Sequence, residues 1–290
     1  DFLFEKRAPD SKIVIIGIDD ASIQKIGRWP WNRDVHAELV RYLGNTPEAI
    51  GIDITFSEGS GKSDLELANS LSKARRVILA SERNLVPVEI LRNVADFGSV
   101  DVYPDKDGVV RKTKITGSFD QKISAIKSPK DWIRINFAGP PETFKTYSYA
   151  DVLESKIPVS EFKDKIVLIG ATARDLHDDI LTPVSSGVSM NGVEIHANII
   201  DTLRGGRYLE NEVAWQGALA IVFLTIITFW TVIYLGPKNS LLVTVGLFAL
   251  YLFYVSYSFD KGIIRGLLYP PSGLILGWFL GVIYQYWSVN

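Results

Sequence analysis

Residues 165–208 read KIVLIGATARDLHDDILTPVSSGVSMNGVEIHANIIDTLRGGRY, and this stretch decides the fold of the chain. Its first residues, 165–170, form an apolar run of the kind found in strands that are buried on both faces of a parallel sheet. A polar loop follows, and residues 192–203 then carry an apolar pattern with helical period. The stretch therefore predicts a strand, a loop and a helix that end shortly before the chain becomes continuously apolar.

Shorter versions of this pattern come earlier in the chain. Buried strands are predicted at residues 13–18, 50–55 and 77–80, and helices between them at 35–44 and 64–74. Asp34 is predicted to cap the first of these helices. Strands that alternate with helices predict a right-handed α/β arrangement with a mostly parallel sheet.

The segment between the third strand and residue 165 has a different pattern. Residues 97–115 predict two short strands around a turn at 104–108, where Gly108 supplies a positive φ. Residues 132–137, WIRINF, alternate in polarity and predict another strand, and residues 148–154 predict a short helix. The predicted fold is an α/β domain over residues 1–212 with helices flanking the sheet.

The last part of the chain has the composition of a membrane module. From residue 213 onward the charged residues are Lys238, Asp260, Lys261 and Arg265, which leaves 28 of 31 basic and 32 of 33 acidic residues in 1–212. Residues 213–290 are therefore predicted to form three transmembrane helices in contact with the lipid bilayer. The predicted spans are 213–235, 241–259 and 267–287. Glycines four residues apart in the third span favour close helix packing: Gly273, Gly277 and Gly281.

Composition also argues against several classes of function. A formal net charge of −2 gives no reason to expect nucleic acid as a partner, since that would call for a basic face. The chain has no cysteine, so disulfides and thiolate metal sites are excluded. With His36, His177 and His196 as its histidines, the sequence contains no complete catalytic constellation, and we predict that this chain is not an enzyme. His196 is predicted on a helix face.

Acidic residues follow several of the predicted strands, at the edge of a parallel sheet where ligands usually bind. Such carboxylates could bind calcium or magnesium through oxygen ligands, or the amine of a small molecule. The alternative is that they cap helices and pair with Arg28, Arg33 and Arg174. The predicted ligand or cation pocket is lined by Asp19, Asp20, Asp53, Thr172 and Asp178.

Several segments, in this order, resemble the type 2 CHASE domain family of bacterial extracytoplasmic sensors. They are IVIIGIDDASIQKIGRWPWNRDVHAELV, AIGIDITFSE, DKDGVVRK, KIVLIGATARDLHDDILTP and MNGVEIHANIID, followed by the apolar spans. The resemblance implies a sensory domain of a receptor that acts on a cytoplasmic cyclase or kinase, which this chain does not contain. Residues 1–7 resemble the segment that follows an N-terminal membrane anchor in this family, so a helix is expected upstream.

The resemblance implies a multi-pass protein of the cell (inner) membrane with residues 1–212 periplasmic or extracellular. Expected partners are a small ligand or an extracytoplasmic protein, and a second copy of the chain in a homo-oligomer. Ligand binding at the strand ends would shift the helix after Gly192, and that shift would reach the first span through residues 204–208. The alternative is a membrane-anchored assembly or scaffold subunit, which could act through its ectodomain or its glycine-rich third span.

Overall fold

The computed structural model describes residues 7–128, 130–173, 176, 179–185 and 187–289. The chain divides into two compact units, Asp1–Tyr208 and Leu209–Asn290. The strands of the first unit are β1 (Ile13–Ile18), β2 (Ala49–Ile52), β3 (Val77–Ser81), β4 (Asp96–Ser99), β5 (Tyr103–Pro104), β6 (Val110–Lys114), β7 (Trp132–Arg134), β8 (Thr146–Ser148), β9 (Ile166–Ala171), β10 (Asp179–Ile180) and β11 (Met190–Asn191). Its helices are α1 (Asp20–Ile26), α2 (Arg33–Leu43), α3 (Lys62–Lys73), α4 (Glu89–Arg92), α5 (Phe119–Ser124), α6 (Tyr149–Leu153) and α7 (Gly192–Gly205), with a short 3-10 helix at Val159–Phe162.

A six-stranded sheet, parallel throughout, forms the centre of the first unit, as the apolar runs predict. Its strand order is β4-β3-β2-β9-β1-β8. The two central strands β1 and β9 pair in register over six residues, from Ile13 opposite Ile166 to Ile18 opposite Ala171. Every residue of β1 is buried, because helices cover both faces of the sheet.

Alternate residues of the strands enter two separate cores. Val14 and Ile16 pack on the face that is covered by α2, α3 and α6. Ile13 and Ile15 point to the opposite face, where they pack with α5 and α7. This alternation follows from the two-residue period of a strand, and it yields a three-layer α/β/α arrangement.

Helix α7 lies between the main sheet and a second, three-stranded sheet made of β5, β6 and β7. Val193 and Ala197 pack in the core under the main sheet, whereas Ile195 and Ile199 pack with the small sheet. Residues 192–203 are all buried. The helix is thus apolar on two sides because it has packing partners on two sides.

Some predicted elements differ from those observed. The strand predicted at 50–55 ends at Ile52. Asp53 makes one last backbone hydrogen bond to the sheet, from its N–H to Ile169 O (2.7 Å), and the chain then leaves the sheet. The hairpin predicted around residues 104–108 forms between β5 and β6, whereas β4 pairs with β3 at the edge of the main sheet. Asp34 does not cap α2, because the helix begins at Arg33, two residues earlier than predicted, and Asn32 takes the N-cap position. The turn with Gly108 at φ +80 is confirmed.

The second unit consists of β12 (Glu210–Asn211), α8 (Ala214–Asp260), β13 (Ile263–Ile264) and α9 (Ser272–Val289). In the described residues α8 is long and apolar enough to cross a membrane, judged by length and composition. Gly236 interrupts it with φ +73, a conformation outside the helical region. Residues 237–240, predicted as part of a loop, are helical. The helix predicted to begin at 267 begins at Ser272 instead, after two prolines that lack backbone donors.

Helix α8 folds back on itself at this interruption. A straight helix of its length would separate its two ends by about 70 Å. The segments that flank it nevertheless pair as parallel strands, Glu210 with Ile263 and Asn211 with Ile264. Residues 214–235 and 237–260 must therefore run in opposite directions, as a helical hairpin.

The glycine stripe of α9 packs against the first half of this hairpin. A Cβ placed on Gly277 would lie 2.3 Å from Thr225 O, and one on Gly273 would lie 2.5 Å from Ile221 O. Backbone-to-backbone approach of this kind requires glycine. The stripe that the sequence offered for assembly with other chains is thus used within this chain.

Candidate ligand-binding site

A cavity of about 490 Å³ opens at the carboxyl ends of β2, β3 and β4. Each of these strands contributes a carboxylate that follows its last residues: Asp53, Glu82 and Asp101. Because the strands are parallel neighbours, their ends meet at one edge of the sheet. We call this space the acidic cavity; its polar lining consists mainly of Asp53, Glu82, Arg83, Asp101, Tyr103 and His196.

The floor of the acidic cavity is a row of three buried ionisable side chains. His196, on the second turn of α7, forms a 2.8 Å hydrogen bond between its Nδ1 and Asp120 Oδ1 on α5. Its Nε2 lies 4.0 Å from Asp53 Oδ2. The side chains of Asp120 and His196 are 2% and 4% exposed, and that of Asp53 is 12% exposed. The imidazole thus joins a fully buried carboxylate to one that faces the cavity.

Burial is the main influence on the ionisation of Asp53. Desolvation raises the pKa of this carboxyl, and the negative charges of Asp120 and Glu82 raise it further, while His196 acts in the opposite direction. A carboxylate in this position would be stabilised by a positive group placed in the cavity. Such perturbed acids concentrate at functional sites, although ion-pair networks also produce them.

Other groups at the mouth of the cavity are already held in place. Asp101 accepts a hydrogen bond from Ser99 Oγ (2.7 Å) and one from the backbone N–H of Arg83 (3.2 Å). Tyr103 forms one wall and is itself fixed by an edge-to-face contact with Trp132, with ring centroids 4.8 Å apart. The cavity therefore has a prearranged rim, and its volume is that of a small-molecule site.

The structure separates the residues that the sequence grouped into one pocket. Asp53 lines the acidic cavity. Asp19 caps α1 by accepting the N–H of Ser22 (2.8 Å), and it also accepts a hydrogen bond from Ser148 Oγ (3.0 Å). Asp20 is exposed in the first turn of α1.

Thr172 packs over Gly17, and its N–H donates to Ile18 O (3.1 Å). Asp178 lies outside the described residues. No group of three or more His, Asp or Glu side chains in the described part of the chain could hold a metal ion. Binding of calcium or magnesium, and of any ligand by all five residues together, stays a prediction.

Asp120 and His196 are the functional candidates that sequence reasoning missed. They are 76 residues apart, and only the packing of α5 beside α7 brings them together. A usable signal existed in the helix that begins at Gly192, which carries Glu194, His196 and Asn198 among apolar residues. Polar side chains within an otherwise apolar helix indicate buried partners.

Comparison with protein families gives one match, a CHASE2 domain profile that covers residues 1–235. The chain belongs to the CHASE2 family. CHASE2 domains are extracytoplasmic sensory domains of signalling receptors, and they are not catalytic. Searches among characterised proteins and among solved structures gave no match. The matched segment ends one residue before the interruption of α8 at Gly236, so it includes the sensory unit and the first half of the helical hairpin.

Proposed function

We propose that this CHASE2 chain is the sensory and membrane portion of a bacterial transmembrane receptor whose acidic cavity binds a small molecule with an ammonium group. The observation that carries the proposal is the cavity-facing Asp53 carboxylate beside buried His196. An ammonium ion would offset the desolvation of Asp53 and donate hydrogen bonds to it. The apolar wall of Val100, Val102 and Ile180 would cover the carbon skeleton of the ligand.

Helix α7 is the element that would respond to the ligand. Its first turns line the cavity through Gly192 and His196, and its last residue is followed after a short connection by α8. A rigid helix that is packed on two sides can move as a body between two arrangements, as helix shifts in other receptors do. The ligand would favour the arrangement in which His196 and Asp53 complement it.

Buried polar contacts would transmit that shift to the rest of the first unit. Glu194 accepts the N–H groups of Glu142 (2.9 Å) and Thr143 (2.8 Å), and Asn198 Oδ1 accepts that of Ala138 (2.8 Å). Near the other end of α7, fully buried Asp201 pairs with Arg7 and accepts the N–H of Asp10 (2.9 Å). The helix is therefore linked to the segment by which the chain enters this unit.

The membrane portion that we propose has three spans. Residues 214–235 and 237–260 each form a helix of roughly 33–36 Å, which matches a hydrocarbon core of about 30 Å, whereas uninterrupted α8 would be twice too long. Helix α9 packs along the hairpin as the third span. An odd number of spans places residues 1–212 and the C-terminal end on opposite sides, as a receptor with a cytoplasmic cyclase or kinase requires. Homo-oligomerisation remains a prediction.

Calorimetry on the full chain in detergent micelles tests the ligand class. Ethanolamine and putrescine are titrated into the wild-type protein, Asp53→Asn and the surface control Asp105→Asn. We expect saturable binding to the wild type and to the control, and at least tenfold weaker binding to Asp53→Asn. Failure of both amines to bind the wild type would refute the ligand class.

The pKa of Asp53 provides an internal check on this experiment. Its raised pKa means that the carboxyl stabilises the fold at low pH and that this stability is lost as the pH rises through the folded-state pKa. Asn resembles the protonated acid, so Asp53→Asn should melt no lower than the wild type at pH 7. A variant that binds nothing and also melts much lower would indicate a structural role. Hydrogen exchange of α7 with and without amine then tests transmission separately.

A further inference from the structure

A second cavity, of about 400 Å³, lies on the other face of the sheet, beside the loop that follows β2. Trp29, Trp31, His36 and Phe56 supply its aromatic walls, and we call it the aromatic cavity. Thr55 lines both this space and the acidic cavity. Neither the family match nor the proposed amine site accounts for it.

The aromatic cavity is formed in advance of any ligand. Buried Arg33 pairs with Asp64 and donates to Glu58 O, which holds the loop on one side. Ser60 N–H donates to the same Asp64 carboxylate (2.6 Å). The Arg33 guanidinium also lies 5.3 Å from the centroid of the Phe56 ring. A rigid wall of this kind lowers the entropic cost of binding.

One polar atom on this wall has no hydrogen-bond partner within the described part of the chain. His36 is 3% exposed and is packed among Trp29, Trp31, Phe56 and Tyr149. Its Nδ1 lies 2.9 Å from Tyr149 Oη. The Nε2 atom is left for the cavity that His36 lines. This nitrogen is not one of the fully buried atoms that lack a partner, so it is accessible from the cavity, where a ligand group could replace water as its hydrogen-bond partner.

The hydrogen-bonding properties of His36 Nε2 limit the chemical class of ligand that can bind there. Burial lowers the pKa of His36 to about 4, with the charge of Arg33 as a second cause, so the ring is neutral near pH 7. Tyr149 can either donate to Nδ1 or accept from it, because its O–H can turn to Val35 O (3.4 Å). Nε2 is accordingly a donor in one tautomer and an acceptor in the other. A hydroxyl group satisfies either form, whereas an ammonium ion or a carboxylate satisfies one.

The rest of the lining fits a neutral ring with several hydroxyl groups. Ser57 and Ser60 lie at the rim, and their hydroxyls make no hydrogen bond within the residues that the structure describes. Asp64 and Glu58 already balance the charge of Arg33. Partly exposed Trp29 offers an indole surface against which the C–H face of a sugar ring can be buried.

We propose that the aromatic cavity binds a neutral monosaccharide, stacked on Trp29 with one hydroxyl group on His36 Nε2. This site is separate from the amine site and does not depend on it. The rim serines would take further hydroxyl groups of the same ring. Sugar and amine would then be sensed on opposite faces of the sheet, with Thr55 in the wall between them.

Calorimetry of the full chain in detergent micelles tests the proposal with D-glucose, D-galactose and N-acetylglucosamine, and with phenol and indole as flat aromatic probes. We expect at least one sugar to bind the wild type saturably below about 10 mM. His36→Phe keeps an aromatic ring but removes the polar atom, and it should weaken binding about tenfold, the effect of one good hydrogen bond. Trp29→Ala should abolish binding.

Two further variants make the result decisive. Trp215→Ala removes an exposed indole of the second unit and should leave sugar affinity unchanged. Ser57→Ala alters only the rim, so it should fold normally and weaken binding severalfold even if the core variants unfold. Binding of indole or phenol without any sugar would overturn the proposal. So would sugar binding that His36→Phe and Ser57→Ala leave unchanged.

Discussion

Two buried histidines lie on opposite faces of one sheet, one among carboxylates and the other among uncharged groups. His196, on α7, lies between the carboxylates of Asp120 and Asp53, at 2.8 and 4.0 Å. His36, on α2, contacts a neutral phenol and several aromatic rings. Both reach cavities that flank the same loop after β2. Residue type alone therefore says little about the role of a buried histidine, since its neighbours decide which charge it can carry.

The two faces differ because different elements pack over each side of β2 and its loop. On the α7 face, the ends of three strands and α5 bring acids together around an imidazole. On the α2 face, Asp64 is used to neutralise Arg33, and aromatic rings fill the remaining volume. We propose that one cavity takes cations and the other neutral ligands, and mutation and pH can test that contrast.

The largest effect is expected from Asp120→Ala, which removes the fully buried partner of His196. Deleting one member of a buried, hydrogen-bonded pair of ionisable groups costs up to about 3–5 kcal/mol, because the other group is left without a partner. Native-state hydrogen exchange of α7 amides in the full chain should report an opening free energy lower by about 4 kcal/mol. Asp96→Ala, which deletes an exposed carboxylate, is the control and should leave α7 unchanged. If the α7 amides exchanged equally in both variants, the contact between Asp120 and His196 would not stabilise α7.

A change of pH should produce the next largest effect, on the other face. The folded-state pKa of His36, about 4, lies below its ordinary value of 6.5. A base whose pKa is lower in the folded state than in the unfolded state stabilises the fold at a pH above its unfolded-state pKa. This stability is lost as the pH falls towards the folded-state pKa. Between pH 7 and pH 4 the wild type should lose about 3 kcal/mol more than His36→Phe. Urea unfolding followed by tryptophan fluorescence measures this difference, and parallel losses in the two proteins would contradict it.

Much of the fold could be predicted from local patterns. The apolar runs at β1, β2, β3 and β9 are buried strands, since only a parallel sheet covered on both faces hides such segments. Asp53 could be predicted as a cavity residue because it comes directly after a strand. Asp19 is placed in the same way, but α1 begins immediately after it, so its carboxylate serves the helix N-terminus.

The pairings that define the two cavities could not be predicted in this way. Asp120 meets His196, and Tyr149 meets His36, across 76 and 113 residues. Such contacts depend on which helices pack side by side, and sequence periodicity shows which face of a helix is buried but not what it is buried against. The reversal within α8, in contrast, is implied by the predicted spans 213–235 and 241–259 with a loop between them. Gly236 allows the interruption, but the pairing of β12 with β13 is what fixes its direction.

The smallest effect is expected from Tyr149→Phe, and it measures how far the two histidine sites differ. The variant keeps the fully buried ring and removes only the hydroxyl that meets His36 Nδ1 at 2.9 Å. A hydrogen bond between neutral groups contributes about 1 kcal/mol, roughly a quarter of the loss expected for Asp120→Ala. Hydrogen exchange of α2 amides should therefore show a loss of about 1 kcal/mol, with α7 unaffected. A loss as large as that of Asp120→Ala would mean that His36 also depends on a charged partner, and the contrast between an acidic and a neutral cavity would fail.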